Sequence, residues 1–206
     1  MKSTFFHIGV NRTMAQKYHL QEPQIQSDGS IPYVPLPEHN DPNFDDLTYG
    51  DPWGRLALFN NDDVAFFIES GTISKNDWGY YLVAYFVVET VYTKHQGVWI
   101  KSPLPIHYDQ VSRNAHEIRE DLNYSIIFGK KELSRLLFLH PLRISKGQDV
   151  YPEIKPVLRL PDEPTYGYWF KRWLGHNITV DLLSFIGAPQ NSISSMKSPL
   201  RAWFNE

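Results

Sequence analysis

The run YYLVAYFVVETVY at residues 80–92 constrains this chain more than any other stretch. It is dense in β-branched and aromatic side chains, which favour an extended, half-buried or buried backbone. Both of its alternating faces are apolar, as expected of a strand near the centre of a strongly curved sheet or a small barrel. Upstream, DDVAFFI at 62–68 is a second buried-strand candidate after the polar Asn60-Asn61-Asp62 turn. The link between them, TISKNDWG at 72–79, is turn-rich and too short for a crossover helix, so the two strands are expected to pair antiparallel.

Other segments fit around this pair. TFFHIGV at 4–10 is a first strand, IPYVPL at 31–36 opens another strand-like piece, and YSIIFG at 124–129 is a further strand. The best helix spans Ser112–Leu122, where Ser112 can cap and Ala115, Ile118 and Leu122 form one apolar stripe. Loop-like stretches occupy residues 12–30 and 94–108, and the proline-rich segment 149–164 reads as an extended crossing. The fold expected is α+β, with a curved, largely antiparallel sheet or a β-barrel and a few flanking helices. With 206 residues, the chain suits a single domain. Residues 149–206 form an extension harder to place within it.

Composition narrows the function classes. The formal net charge is −3 and the pI about 6.2, so any contact with nucleic acid must be local rather than spread over the whole surface. Cysteine is absent, which removes disulfides, thiolate metal sites and a cysteine nucleophile. The opening MKSTFFHIGV has too short an apolar run for a signal peptide, and no stretch reaches membrane-spanning length. A cytoplasmic protein without membrane contact is the expectation.

No P-loop, HExxH helix, GxSxG elbow or GxGxxG turn is present, and no cofactor can be named. The eight histidines are scattered without an i, i+4 pair, so no metal site is expected. Candidate chemistry instead gathers on the loop HNDPNFDDLTYGDPW at 39–53 and near the helix. Asp41, Asp51 and His116 are the candidates for acid–base work, since carboxylates and imidazole can exchange protons near neutral pH. His39, Tyr49, Trp53, Trp78, Asn114 and Arg135 are the candidates for holding a base or nucleotide, by stacking, by amide hydrogen bonds and by charge. The aspartates at 41, 45, 46 and 51 read in the first place as turn-formers on a solvated loop. His116 reads equally as a half-buried histidine bonded to backbone, and the tryptophans as rim packing.

A set of ordered blocks resembles the third type of the nucleotide modification associated domain family, a prokaryotic and phage group. The blocks are HIGVN at 7–11, IPYVPLPE at 31–38, HNDPNFDDLTYGD at 39–51, RLALFNNDDVAFFIESG at 55–71, YYLVAYFVVE at 80–89, RNAH at 113–116 and SIIFGKKELSRLLF at 125–138. The resemblance implies a setting in which modified nucleobases are made or handled. It carries over His39, Asp41, Tyr49, Gly50, Asp51, Asn114 and His116 as candidate positions. The chain departs from the family pattern at Asn11, where an aspartate is expected, and at Ala15-Gln16, where a Gly-Trp pair is expected.

A looser architectural likeness, strand, polar turn, strand and long strand, is similar to the PUA-like barrels that include readers of modified bases. These likenesses together imply recognition, and possible processing, of a modified nucleobase or nucleotide in DNA. An enzyme acting on a base or nucleotide by acid–base chemistry is the first alternative. A non-catalytic module that binds a modification or defence enzyme is the second.

Overall fold

The computed structural model describes residues 1–8, 42–52, 54–74, 77–101, 111, 114–137, 141–147, 149–160 and 172–187. Its strands are β1 (Ser3–His7), β2 (Thr48–Asp51), β3 (Val64–Ser74), β4 (Asp77–His95), β5 (Val98–Lys101), β6 (Tyr124–Gly129), β7 (Arg135–Leu136), β8 (Leu142–Lys146) and β9 (Asp149–Val150). Helices are α1 (Ala115–Ile118), α2 (Ile154–Leu158) and α3 (His176–Gly187), with a 3-10 turn at Arg55–Leu58. The class is α+β, built on a mostly antiparallel sheet with main strand order β1-β3-β4-β6-β2. Among the described residues that order does not close on itself: β1 and β2 stand at its two ends.

Strand β4 is the spine foreseen from its composition, and it is longer than 80–92 because it takes on a different partner at each end. Its first residues pair with β8, Gly79 opposite Lys146 and Leu82 opposite Leu142. Its later residues pair with β6, Thr90 opposite Phe128 and Lys94 opposite Tyr124, and then with β5. A register shift interrupts each of these ladders, and such bulges bend a strand and increase its twist. Val64–Ile68 of β3 and Leu82–Ala84 of β4 are wholly buried, so their consecutive apolar residues are covered on both faces.

The chain divides into two compact units, and β3 and β4 run through both. The first comprises Met1, Tyr33–Ala65 and Tyr85–Leu136. In it β2 pairs antiparallel with β6, Thr48 opposite Phe128, Gly50 opposite Ile126 and Asp51 opposite Ser125. Directly opposed residues share a face, so Thr48 and Gly50 lie on one side with Tyr124, Ile126, Phe128, Tyr92 and Lys94. Tyr49 and Asp51 lie on the other with Ser125, Ile127, Val91 and Thr93. The first side carries a buried aromatic cluster of Tyr92, Tyr124, Ile126 and Phe128 with Val111 and Trp99, whose rings meet edge to face. On the second side the hydroxyls of Thr93 and Ser125 meet at 3.1 Å across the ladder.

The second unit comprises Lys2–Pro32, Phe66–Ala84 and Leu137–Glu206. Here β1 lies beside β3, with Phe5 against Phe66 and Phe6 against Phe67. Helices α2 and α3 pack on one another. The Ser3 hydroxyl meets that of Thr179 on α3 at 2.8 Å, while Ser3 and Leu174 form an isolated bridge. Buried Arg143 on β8 lies between the rings of Tyr81 and Tyr151, 5.6 and 5.7 Å from their centroids.

Several expectations are corrected. The link at 72–79 is almost entirely strand: β3 continues to Ser74 and β4 begins at Asp77. Residues 94–101, read as loop, form a β4–β5 hairpin turning at Gln96-Gly97, both with positive φ (50° and 77°). That two-residue geometry matches the strand twist; glutamine at its first position hid the signal. The helix expected over Ser112–Leu122 is a single turn, because Glu120 adopts a left-handed φ of 57° and the Asp121 N–H bonds the His116 carbonyl, closing the helix as a Schellman motif does. Leu122, assigned to the buried stripe, is 61% exposed. The proline-rich crossing holds α2, whose Pro156 sits in the first turn, where a missing N–H costs little. The strand-like piece at 31–36 and the long loop at 12–30 lie outside the described residues.

Candidate functional site

The turn at 114–121 is organised by side chains bonding to backbone. Asn114 Oδ1 accepts the His116 N–H at 3.0 Å, and the Asn114 carbonyl accepts the Glu117 N–H at 3.0 Å. The closing bond from Asp121 to the His116 carbonyl returns the Asp121 carboxylate to the imidazole, whose Nδ1 lies 2.7 Å from Oδ2. Arg119 Nη2 lies 3.0 Å from the same oxygen and 2.9 Å from Nδ1. A carboxylate on Nδ1 requires the proton there, so the His116 N–H and the guanidinium both donate to Asp121 and do not bond each other. Burial alone would raise the Asp121 pKa. The hydrogen bonds and charges of His116 and Arg119 outweigh that and hold it below the ordinary carboxylate value.

His116 is 4% exposed, and its ring stacks on Tyr124, centroids 5.4 Å apart at 15°. The Tyr124 hydroxyl donates to Glu117, and Lys94 Nζ reaches the same carboxylate at 2.9 Å while lying over the Trp99 and Tyr124 rings. A chain of polar contacts thus runs from Lys94 to Glu117 and Tyr124, and through the stacked rings to His116 and Asp121.

Strand β2 meets this turn at Gly50. A Cβ there would lie 2.3 Å from His116 Cδ2, 3.1 Å from Nε2 and 3.0 Å from Asn114 Oδ1. The glycine lets the strand backbone approach the imidazole, whose Cδ2–Nε2 edge, with Cδ2 the nearer atom, faces β2 while Nδ1 faces Asp121. Two buried polar atoms of these segments lack a hydrogen-bond partner: Asn114 Nδ2, on the side chain whose Oδ1 lies toward Gly50, and, two residues before Gly50 on the same strand face, Thr48 Oγ1. Both residues are 0% exposed.

Of the candidate residues, the fold therefore brings together Gly50, Asn114 and His116. Tyr49 and Asp51, half-buried on the same strand, face the opposite side by strand alternation. At the end of the β4–β6 ladder an open groove of about 340 Å³ is lined by residues of both sides, Thr93, His95 and Ser125 together with Lys94 and Tyr124. Arg135 is exposed on β7 and donates to the carbonyls of Glu132 (2.7 Å) and Ser134 (2.8 Å). Its charge offsets part of the rise that burial imposes on the Tyr85 hydroxyl pKa. His39, Asp41 and Trp53 lie outside the described residues, as does the side chain of Trp78, whose backbone belongs to β4.

Asp45 and Asp46 are turn residues: their N–H groups both donate to Asn43 Oδ1 at 3.1 Å. Among the described residues no three His, Asp or Glu side chains gather as a metal site would need. Also among them, no helix is long and apolar enough to cross a membrane. Sequence reasoning missed Asp121, Arg119 and Glu117, because a charge run on a helix reads as an ordinary solvated face, and Lys94, because it falls in the loop-like stretch at 94–108. The local signal was Asn114 followed two residues later by His116, an Asx-turn spacing that marks where a helix begins rather than continues.

No family model, curated protein or solved structure matches the chain.

Proposed function

We propose that the protein recognises a modified nucleobase or nucleotide, in DNA or free, and that the contact between β2 and the Asn114–His116 turn is its recognition site. The observation that carries this reading is the meeting of Gly50 with Asn114 and His116, from segments over sixty residues apart, around a buried amide donor that the protein leaves unmatched. Buried polar groups are nearly always paired, and an exception asks for an explanation such as a ligand. The resemblance to the nucleotide modification associated domain family, to which TYGD and RNAH contribute, supplies the ligand class and its phage or bacterial setting. Membership of that family, a PUA-like barrel and a cytoplasmic location belong to the same proposal.

Titrating the protein against labelled oligonucleotides in which uracils or cytosines do or do not carry a 5-substituent, and against the free nucleotides, tests this. Tighter binding of modified than unmodified ligands, weakened by His116→Ala in a folded variant, is expected. Failure to bind any of them at low salt would overturn the reading.

A second reading, acid–base processing of the base, is favoured by the 2.7 Å contact between Asp121 and His116 Nδ1. A carboxylate that holds imidazole in one tautomer leaves Nε2 to exchange protons. Mass spectrometry of nucleosides after long incubation, with and without magnesium, decides: new products lost in Asp121→Asn support it, and unchanged nucleosides at high protein concentration sink it.

A further inference from the structure

We propose that the Asn114 site selects a base edge presenting a carbonyl acceptor, as uracil, thymine and hypoxanthine do, over one that presents an exocyclic amine in its place. This rests on the base-recognition reading above and assigns the polarity of what is recognised.

A carboxamide normally offers an acceptor and two donors, and could suit either kind of edge by flipping. Asn114 cannot flip without loss, because its Oδ1 is engaged by the His116 N–H at 3.0 Å in the turn that starts α1. The atom left unmatched is Nδ2, a donor only. An incoming carbonyl oxygen satisfies it, whereas an amine brings donor against donor in a buried setting and leaves both unpaired.

Thr48 Oγ1 adds a second unmatched group on the same strand face as Gly50. A hydroxyl donates or accepts as needed, so Thr48 sets no polarity and the selection rests on Asn114. Because Asn114 is 0% exposed, the carbonyl reaches it only as groups covering the turn are displaced, and binding is coupled to a local opening.

The test uses the full chain and nucleoside 5′-monophosphates in matched pairs that differ only in keto against amino: inosine with adenosine, uridine with cytidine, and thymidine with 5-methyldeoxycytidine. Calorimetric titration is expected to favour the keto member by about tenfold to a hundredfold, the discrimination typical of one well-placed polar contact to a base. Asn114→Asp keeps an acceptor for the His116 N–H but replaces the donor, and is expected to abolish or reverse the preference. Asn114→Ser also keeps an acceptor and lacks the amide donor, and is expected to bring the paired affinities together. Equal affinities in the wild type, or a keto preference that survives both substitutions, would overturn the assignment of Asn114 while leaving base recognition standing. So would an ordered water joined to Asn114 Nδ2 that persists with nucleotide bound. No binding of any nucleotide would overturn base recognition itself. If both variants fail to fold, the wild-type pairs still decide.

Discussion

Gly50 and His116 are packed so closely that a single methyl group on the glycine would fall 2.3 Å from the imidazole Cδ2. The ring cannot swing away cheaply, since Asp121 holds Nδ1 and Tyr124 stacks on its face. Gly50→Ala is therefore expected to destabilise the protein by about 1–3 kcal/mol, the usual cost of overpacking a filled core. Urea denaturation measures it, and a variant as stable as the wild type would show that this contact is loose.

The Asp121–His116 pair sets a pH dependence with a definite sign. Asp121 has a native pKa below its unfolded value of about 3.9, so just below that pH the unfolded chain binds more protons and stability rises with pH. The contribution is complete above the unfolded value and is lost as pH falls through the lowered native one. Melting temperatures of the wild type and Asp121→Asn should differ near pH 5 and converge as the pH falls below about 4. A gap that widened in acid would contradict the pairing.

On the opposite side of the sheet, the Thr93 and Ser125 hydroxyls satisfy each other. Ser125→Ala or Thr93→Val leaves one buried hydroxyl unmatched and is expected to cost about 1 kcal/mol, whereas the double variant should cost less than the sum. A double-mutant cycle from urea titrations reads the coupling directly. Strict additivity would mean that each hydroxyl finds another partner.

Trp53 and Trp78 remain the sequence-based candidates for a stacking wall. If either stacks a base, replacing it with alanine weakens binding to modified DNA by about 1–3 kcal/mol without unfolding the protein. Unchanged affinity in both folded variants would remove the aromatic cage from the proposal and leave the Gly50 contact as the site.

What could be read from the sequence was local and periodic. The strands at 80–92, 62–68 and 124–129 announced themselves because β-branched and aromatic runs have few other ways to be buried, and the aspartates at 45 and 46 form the turn their residue type suggested. The helix was overestimated because apolar spacing at 115, 118 and 122 says nothing about the left-handed residue at 120 that ends it. The β4–β5 hairpin was missed because its tight turn begins with glutamine.

Residue order alone was enough to specify a β-dominated α+β chain spined by residues 80–92, and to place TYGD and RNAH among the candidates. Which of their residues meet is a matter of three-dimensional pairing. Strand alternation is a local rule, but which side of β2 receives the turn depends on its pairing with β6, a register between residues some seventy-five positions apart. That pairing directs Gly50 toward Asn114 and His116 and turns Tyr49 and Asp51 away. The Schellman closure that returns Asp121 to His116 adds the charge partner that the linear pattern had left on a solvated face.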